Sequence, residues 1–134
     1  MRTRIKICCI STVAEAKLAV RYGANAVGLV SAMPSGPGVI AEETIAEIAA
    51  TVPPGVATFL LTSKQDAPGI ITQQRRTRVN TIQLCDRVSA ECLRELRAAL
   101  PGMALVQVIH VTGEESVVEA VVVADKVDAL LLDS

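Results

Sequence analysis

Six short apolar runs rich in β-branched residues punctuate the chain, starting near residues 4, 26, 56, 79, 104 and 128, and between each pair apolar residues recur at helical spacing. Runs this short, bounded by Gly, Pro and polar clusters, read as buried strands. The first covers residues 4–10. After it, Thr12 and Glu15 have capping-box spacing, predicting a helix to about Tyr22 that stops at Gly23. Residues 26–30 form the second strand, ending at Ser31 before Ala-Met-Pro-Ser-Gly-Pro-Gly, which reads as a loop. Ile45, Ile48, Ala49 and Val52 mark the next helix, with Glu42 and Glu43 in its first turn where the dipole favours anions, and Pro53-Pro54-Gly55 ends it.

The same alternation continues to the end of the sequence. A strand at 56–61 is followed by a helix over 66–78 with the basic end Arg75-Arg76-Thr77-Arg78, which reads as a solvated face complementing the helix dipole. Residues 79–84 form a strand ending at Cys85-Asp86, and Ser89 opens a helix through Leu100. The strand at 104–109 has His110 at its end; Thr112 and Glu115 repeat the capping-box spacing before a Val-rich helix to about Ala124. The last strand covers 128–132, followed by Asp133-Ser134.

One helix between every two strands makes this a βα repeat, and right-handed crossovers make the sheet parallel. The class is α/β in a single domain over residues 1–134. Two architectures share the pattern. An open doubly wound sheet suits the length, whereas an eight-fold barrel usually takes at least ~200 residues. A closing strand without a covering helix, and the lack of a Gly-rich phosphate turn after the first strand, favour an incomplete barrel of about six strands and five helices.

Composition narrows the function classes. The chain is 51% hydrophobic with one Phe, one Tyr and no Trp, so its core is aliphatic. A net charge of −1 gives no electrostatic basis for a nucleic-acid or membrane partner. No apolar run approaches the ~18 residues of a spanning helix, and the first residues lack a signal-peptide core, so a cytoplasmic protein is expected. Cys8, Cys9, Cys85 and Cys92 match no secreted disulfide scaffold and read as free thiols.

Parallel α/β sheets place their chemistry at the carboxyl ends of strands. The candidates there are Cys8, Ser31, Cys85, Asp86, His110 and Asp133, with Lys6 two residues before Cys8 on the same strand face. Cysteine is also an ordinary small hydrophobe in a buried strand, and a lone histidine is commonly a hydrogen-bonded surface group. Cys8, Cys85, His110 and Asp133 include zinc-ligand types, but no C-x-x-C pair supports a metal site and none is expected.

Lys6-Ile7-Cys8-Cys9-Ile10, then residues 22–30 (Tyr-Gly-Ala-Asn-Ala-Val-Gly-Leu-Val), then Thr81-Ile82-Gln83-Leu84-Cys85-Asp86 and finally Leu130-Leu131-Leu132-Asp133-Ser134 resemble, in order, the strand motifs of the phosphoribosylanthranilate isomerase family. That family is a TIM barrel of tryptophan biosynthesis. The resemblance covers the whole chain and implies an N-terminal portion of a (βα)8 barrel, five and a half βα units long. It also implies an Amadori-type aldose-ketose isomerisation of phosphoribosylanthranilate, a sugar phosphate, by an intramolecular oxidoreductase that needs no cofactor. In this reading Cys8 is the general base and Asp133 the general acid, with Lys6, Ser31, Cys85, Asp86 and His110 contacting substrate. Thiolate at Cys8 calls for a nearby cation, and an acid at Asp133 for burial.

The chain also departs from the family pattern. Cys9 stands where the family has glycine, Cys85 where it often has histidine, and the loop Met33-Pro34-Ser35-Gly36-Pro37-Gly38 lacks the arginine that holds the anthranilate carboxylate. Phosphate would bind to loops after strands seven and eight. The chain alone is therefore expected to be weakly active or inactive, and the alternative is a truncated or diverged barrel without catalysis, acting as a small-molecule binding or structural module. Unpaired apolar edge strands would favour self-association.

Overall fold

The computed structural model describes all residues 1–134. Its elements run β1 (Lys6–Ile7), α1 (Val13–Arg21), β2 (Ala26–Val30), α2 (Glu42–Thr51), β3 (Ala57–Thr62), α3 (Ala67–Thr77), β4 (Thr81–Leu84), α4 (Ala90–Ala99), β5 (Ala104–His110), α5 (Glu114–Ala124) and β6 (Ala129–Asp133). All strands are parallel and stand in sequential order from β1 to β6. This order decides between the two architectures. A doubly wound sheet reverses direction at a switch point, whereas sequential right-handed crossovers put all five helices on one face. The sheet is a curled half-barrel, convex under the helices. No helix is long and apolar enough to cross a membrane.

Helix starts follow local chemistry. Thr12 caps α1 by accepting from the Glu15 N–H at 3.0 Å, Asp66 caps α3 through Gly69 N–H at 2.8 Å, and Ser89 caps α4 through Cys92 N–H at 3.0 Å. The expected capping box at Thr112 is not formed. Gly113 is the N-cap of α5, and the Thr112 hydroxyl donates instead to the Glu115 carboxylate at 2.8 Å while its N–H donates to Ser116 Oγ at 2.9 Å. The first strand is also shorter than the apolar run, because Cys9 adopts φ +57° and turns the chain. Residues 5–10 still lie along β2: Ile5 carbonyl accepts from Asn25 N–H at 2.8 Å, and Ile10 N–H donates to Gly28 carbonyl at 3.2 Å.

The core lies between sheet and helices in two clusters. Val27, Leu29 and Leu60 pack with Ala16, Ile45 and Ile48; Ile82, Leu84 and Leu105 pack with Ile70, Leu93 and Leu96. Full burial of each large aliphatic side chain contributes about 1.5–3 kcal/mol. The register Lys6↔Ala26, Gly28↔Phe59, Leu61↔Gln83, Val106↔Ala129 and His110↔Asp133 sends the opposite parity to the concave face.

That register is clipped at the amino ends of alternate strand pairs. Asn25 Oδ1 accepts from Ile5 N–H at 2.8 Å, Asn80 Oδ1 from Thr58 N–H at 2.9 Å, and Asp128 Oδ2 from Leu105 N–H at 2.8 Å. Asp128 also pairs with Arg97 at 2.9 Å. The Arg97 hydrogen bond, then that from Leu105, holds the Asp128 carboxyl below its ordinary range. Its side chain is about half exposed, so screening limits the effect. Replacing it (Asp128→Ala) is expected to cost about 1 kcal/mol in urea unfolding at pH 7. A depressed folded pKa stabilises above the unfolded value and is lost as pH falls through the folded one, so the gap between the two proteins should close below about pH 4. An equal gap at pH 7 and pH 3 would count against the clip.

Candidate active site

Five of the expected residues, Lys6, Cys8, Cys85, His110 and Asp133, share the concave face, and all but Lys6 stand at its carboxyl end. Cys8 follows β1 in register with Gly28, and a Cβ placed on Gly28 would come within 2.8 Å of Cys8 Sγ. Glycine in this strand therefore lets the thiol lie flat against β2. His110 and Asp133 face each other across β5 and β6, with His110 Nδ1 3.8 Å from Asp133 Oδ2. His110 Nε2 is 2.9 Å from the Cys85 carbonyl oxygen. A carbonyl only accepts, so Nε2 carries the proton and Nδ1 faces the carboxylate. Protonation of Nδ1 makes the contact an ion pair. The burial expected around Asp133 is absent: its side chain is 60% exposed.

Lys6 shares this face and makes no ion pair; its Nζ lies 5.1 Å from the centroid of the Phe59 ring. Its charge acts on the neighbouring thiols. At Cys85, burial raises the pKa most, followed by the charges of Asp86 and Cys8, and these outweigh the lowering by Lys6 and a hydrogen bond from Gln83, so the thiol is pushed up to about 11. Cys9 is also raised, by burial first and then by Cys8. Cys8 is the exposed thiol of the three.

Ser31 is a correction. It is fully buried, lies beyond the concave parity of β2, and its hydroxyl donates to the Leu61 carbonyl at 2.7 Å, tying β2 to β3. A side chain so used is not open to substrate. Asp86 is exposed beyond β4, and its backbone carbonyl accepts from Gln107 at 3.1 Å. The basic end of α3 is a solvated face, with Arg76 pairing Glu42 at 3.4 Å. No three His, Cys, Asp or Glu side chains cluster closely enough to hold a metal.

The role of Cys9 lay outside the reading of its sequence. Its φ of +57° is the left-handed conformation that glycine adopts without strain. Its thiol donates to the Pro37 carbonyl at 3.7 Å, and a Cβ on Gly38, itself at φ +85°, would lie 2.8 Å from Cys9 Cβ and Sγ. The turn after β1 is thus pressed against the loop after β2 at the rim of the site.

Two predictions follow from these contacts. Gly38→Ala should cost at least about 1 kcal/mol in denaturant unfolding, and less in a Cys9→Gly background, because part of the clash leaves with the thiol; strictly additive effects would refute the contact. In timed iodoacetamide labelling at pH 8, read by peptide mass, Cys8 should be modified before Cys85, of which roughly a thousandth is thiolate at that pH. Faster labelling of Cys85 would contradict the burial described.

No protein-family model matches the chain. An N-(5'-phosphoribosyl)anthranilate isomerase of Thermosynechococcus vestitus is 27% identical over 133 residues, covering 99% of this chain and 57% of that protein. A protein of the same name from Microcystis aeruginosa is 30% identical over 132 residues, 98% of this chain and 61% of the relative. The crystal structure of phosphoribosyl anthranilate isomerase from Thermotoga maritima shares the fold with TM-score 0.86 at 22% identity, over 99% of this chain and 63% of that one. The Thermus thermophilus structure gives 0.82 at 26% identity, over 98% and 62%. The chain spans about three-fifths of the length of the first curated relatives it matches.

Proposed function

We propose that this chain, homologous over nearly its whole length to phosphoribosylanthranilate isomerases, supplies the acid-base half of an active site for the Amadori-type isomerisation of phosphoribosylanthranilate in the cytoplasm. The observation that carries the reading is the position of Cys8 and Asp133: both lie at the carboxyl end and on the concave face, on the two strands at the ends of the sheet order. Asp133 gives a proton to the ribose ring oxygen and opens the sugar; Cys8 thiolate takes the proton from the adjacent carbon, and the enol then relaxes to the aminoketose. His110, in contact with Asp133 through Nδ1, returns the proton to the acid between turnovers. Lys6, with no anionic partner, supports negative charge on Cys8 or on the substrate. Cys85, held as a neutral thiol by burial, is a wall of the site.

The anthranilate carboxylate lacks an arginine in residues 33–38, and loops after two further strands would carry the phosphate. A solved relative in complex with reduced 1-(o-carboxyphenylamino)-1-deoxyribulose 5-phosphate supports a sugar-phosphate ligand for that protein, and the same class is proposed here. The open edges, with Ile5 and Ile7 at β1 and Leu132 at β6 exposed, favour self-association of the isolated chain.

The test is a chimera of residues 1–134 with the remaining C-terminal part of the Thermosynechococcus relative, assayed on phosphoribosylanthranilate by its fluorescence. Turnover is expected, falling at least a thousandfold in Cys8→Ala and in Asp133→Ala, while the 134-residue chain alone shows little. Turnover that survives either substitution would overturn the assignment.

A further inference from the structure

Cys8 and Cys9 put two thiols on consecutive residues at the rim of the concave face. Cys8 is exposed to water, and Cys9 is half-buried against the loop after β2. Close contacts confine both: a Cβ on Gly28 would meet Cys8 Sγ at 2.8 Å, and one on Gly38 would meet Cys9 Sγ at 2.8 Å. Burial raises the Cys9 pKa most, and the charge and hydrogen bond of the Cys8 thiol raise it further, so the two sulfurs lie within reach of each other. The remaining cysteines are poor competitors for an oxidant. Cys92 is buried in the core on the helix side, and burial holds the Cys85 thiol protonated.

An exposed thiol with a second thiol beside it is what reversible oxidation needs. We propose that Cys8 and Cys9 form a peroxide-sensitive pair that closes to a disulfide between adjacent residues. Cys8 thiolate attacks one oxygen of hydrogen peroxide. The O–O bond breaks, the sulfur is oxidised to sulfenic acid, and the other oxygen leaves as hydroxide and takes up a proton to become water. Cys9 sulfur then attacks Cys8 sulfur: the S–S bond forms, the S–O bond breaks, and the oxygen leaves as water with the Cys9 proton. Charge favours this order. The negative charge on Cys8 that helps to hold Cys9 protonated is gone once Cys8 is a neutral sulfenic acid, while Lys6, which lowers the Cys9 pKa, remains.

The bridge is transient by construction. Consecutive Cα atoms stand about 3.8 Å apart across a trans peptide, below the ~4.4–6.8 Å that a relaxed disulfide spans, so the ring is strained and a dithiol reopens it. Closing it also takes Cys9 from the Pro37 carbonyl and frees the loop after β2. Glycine in place of Cys9 would suit its φ of +57° and leave Cys8 without the partner. With Cys8 as the base proposed above, the oxidised site is switched off; that consequence rests on the proposed role, whereas the disulfide does not.

The test is by mass. The 134-residue chain is treated with hydrogen peroxide at neutral pH, blocked with iodoacetamide and cut with trypsin, which releases residues 7–17 with both thiols in one peptide. Expected is a peptide lighter by two hydrogens and carrying no label, which becomes doubly labelled when dithiothreitol precedes the block. Dimedone, which traps sulfenic acid, should label Cys8 roughly tenfold less in this chain than in Cys9→Gly, where the left-handed turn is kept and the second thiol is gone. If that variant unfolds, the peptide mass of the unaltered chain decides alone. Sulfinic acid accumulating at Cys8, a bridge from Cys8 to Cys85, Cys92 or a second copy, thiols unchanged at millimolar peroxide, or equal dimedone labelling of the two proteins would overturn the proposal. None of these readouts uses turnover, so failure of the isomerase assignment and failure of the thiol pair are seen separately.

Discussion

The site depends on the parallel register between neighbouring strands. Side chains alternate across a strand, so a slip of one residue in any pair would move Cys8, His110 or Asp133 to the helix side and bring aliphatic residues into the concavity. Parallel ladders bond through slanted backbone hydrogen bonds and resist slipping less well than antiparallel ones. This chain adds a side-chain clip where the second strand of a pair begins: Asn25 to β1, Asn80 to β3 and Asp128 to β5. The clips sit at the amino ends. At the carboxyl ends the side-chain ties from Ser31 to the Leu61 carbonyl and from Gln107 to the Leu84 carbonyl lie on the helix side of the sheet, so fixing the register does not occupy the concave face.

Close approach is the second constraint. Cys8 lies against β2 only because position 28 carries no side chain, and the loop after β2 reaches the turn after β1 only because position 38 carries none. Cys9 occupies a backbone conformation suited to glycine, a strain on the order of 1 kcal/mol, and part of that is offset by its packing on Gly38 and its bond to Pro37. The bulk that a glycine would have left out therefore serves as a contact that holds the loop.

The elements were legible where local chemistry decides them. Apolar runs and capping residues placed β2 and α1 closely, since Thr12, Gly23 and the buried Ala26–Val30 run each act within a turn. Local spacing failed where a tertiary contact competed. Thr112 and Glu115 have the same spacing as Thr12 and Glu15, yet β5 extends through His110 and the chain re-enters a helix only after Gly113. Ser31 failed for a related reason: its place at a strand end was readable, but the side to which it points depends on the parity of β2 against β3. The partnering of Cys9 with residues 37 and 38 involves groups far apart in sequence and leaves no periodic trace.

Position within the sheet explains how two thiols on one concave face differ in exposure. Cys85 follows a central strand whose residues are all buried, between β3 and β5, and its charged form would lose water without gaining a firm partner. Lys6 reaches it only as a weak opposing influence, smaller than burial and the charges of Asp86 and Cys8. Cys8 follows the strand at the end of the sheet order, keeps its exposure and lies two residues beyond the same lysine. Hydration separates the two, since both cysteines share a face, a sheet end and a cation: Cys85 is largely buried, and Cys8 keeps its contact with water.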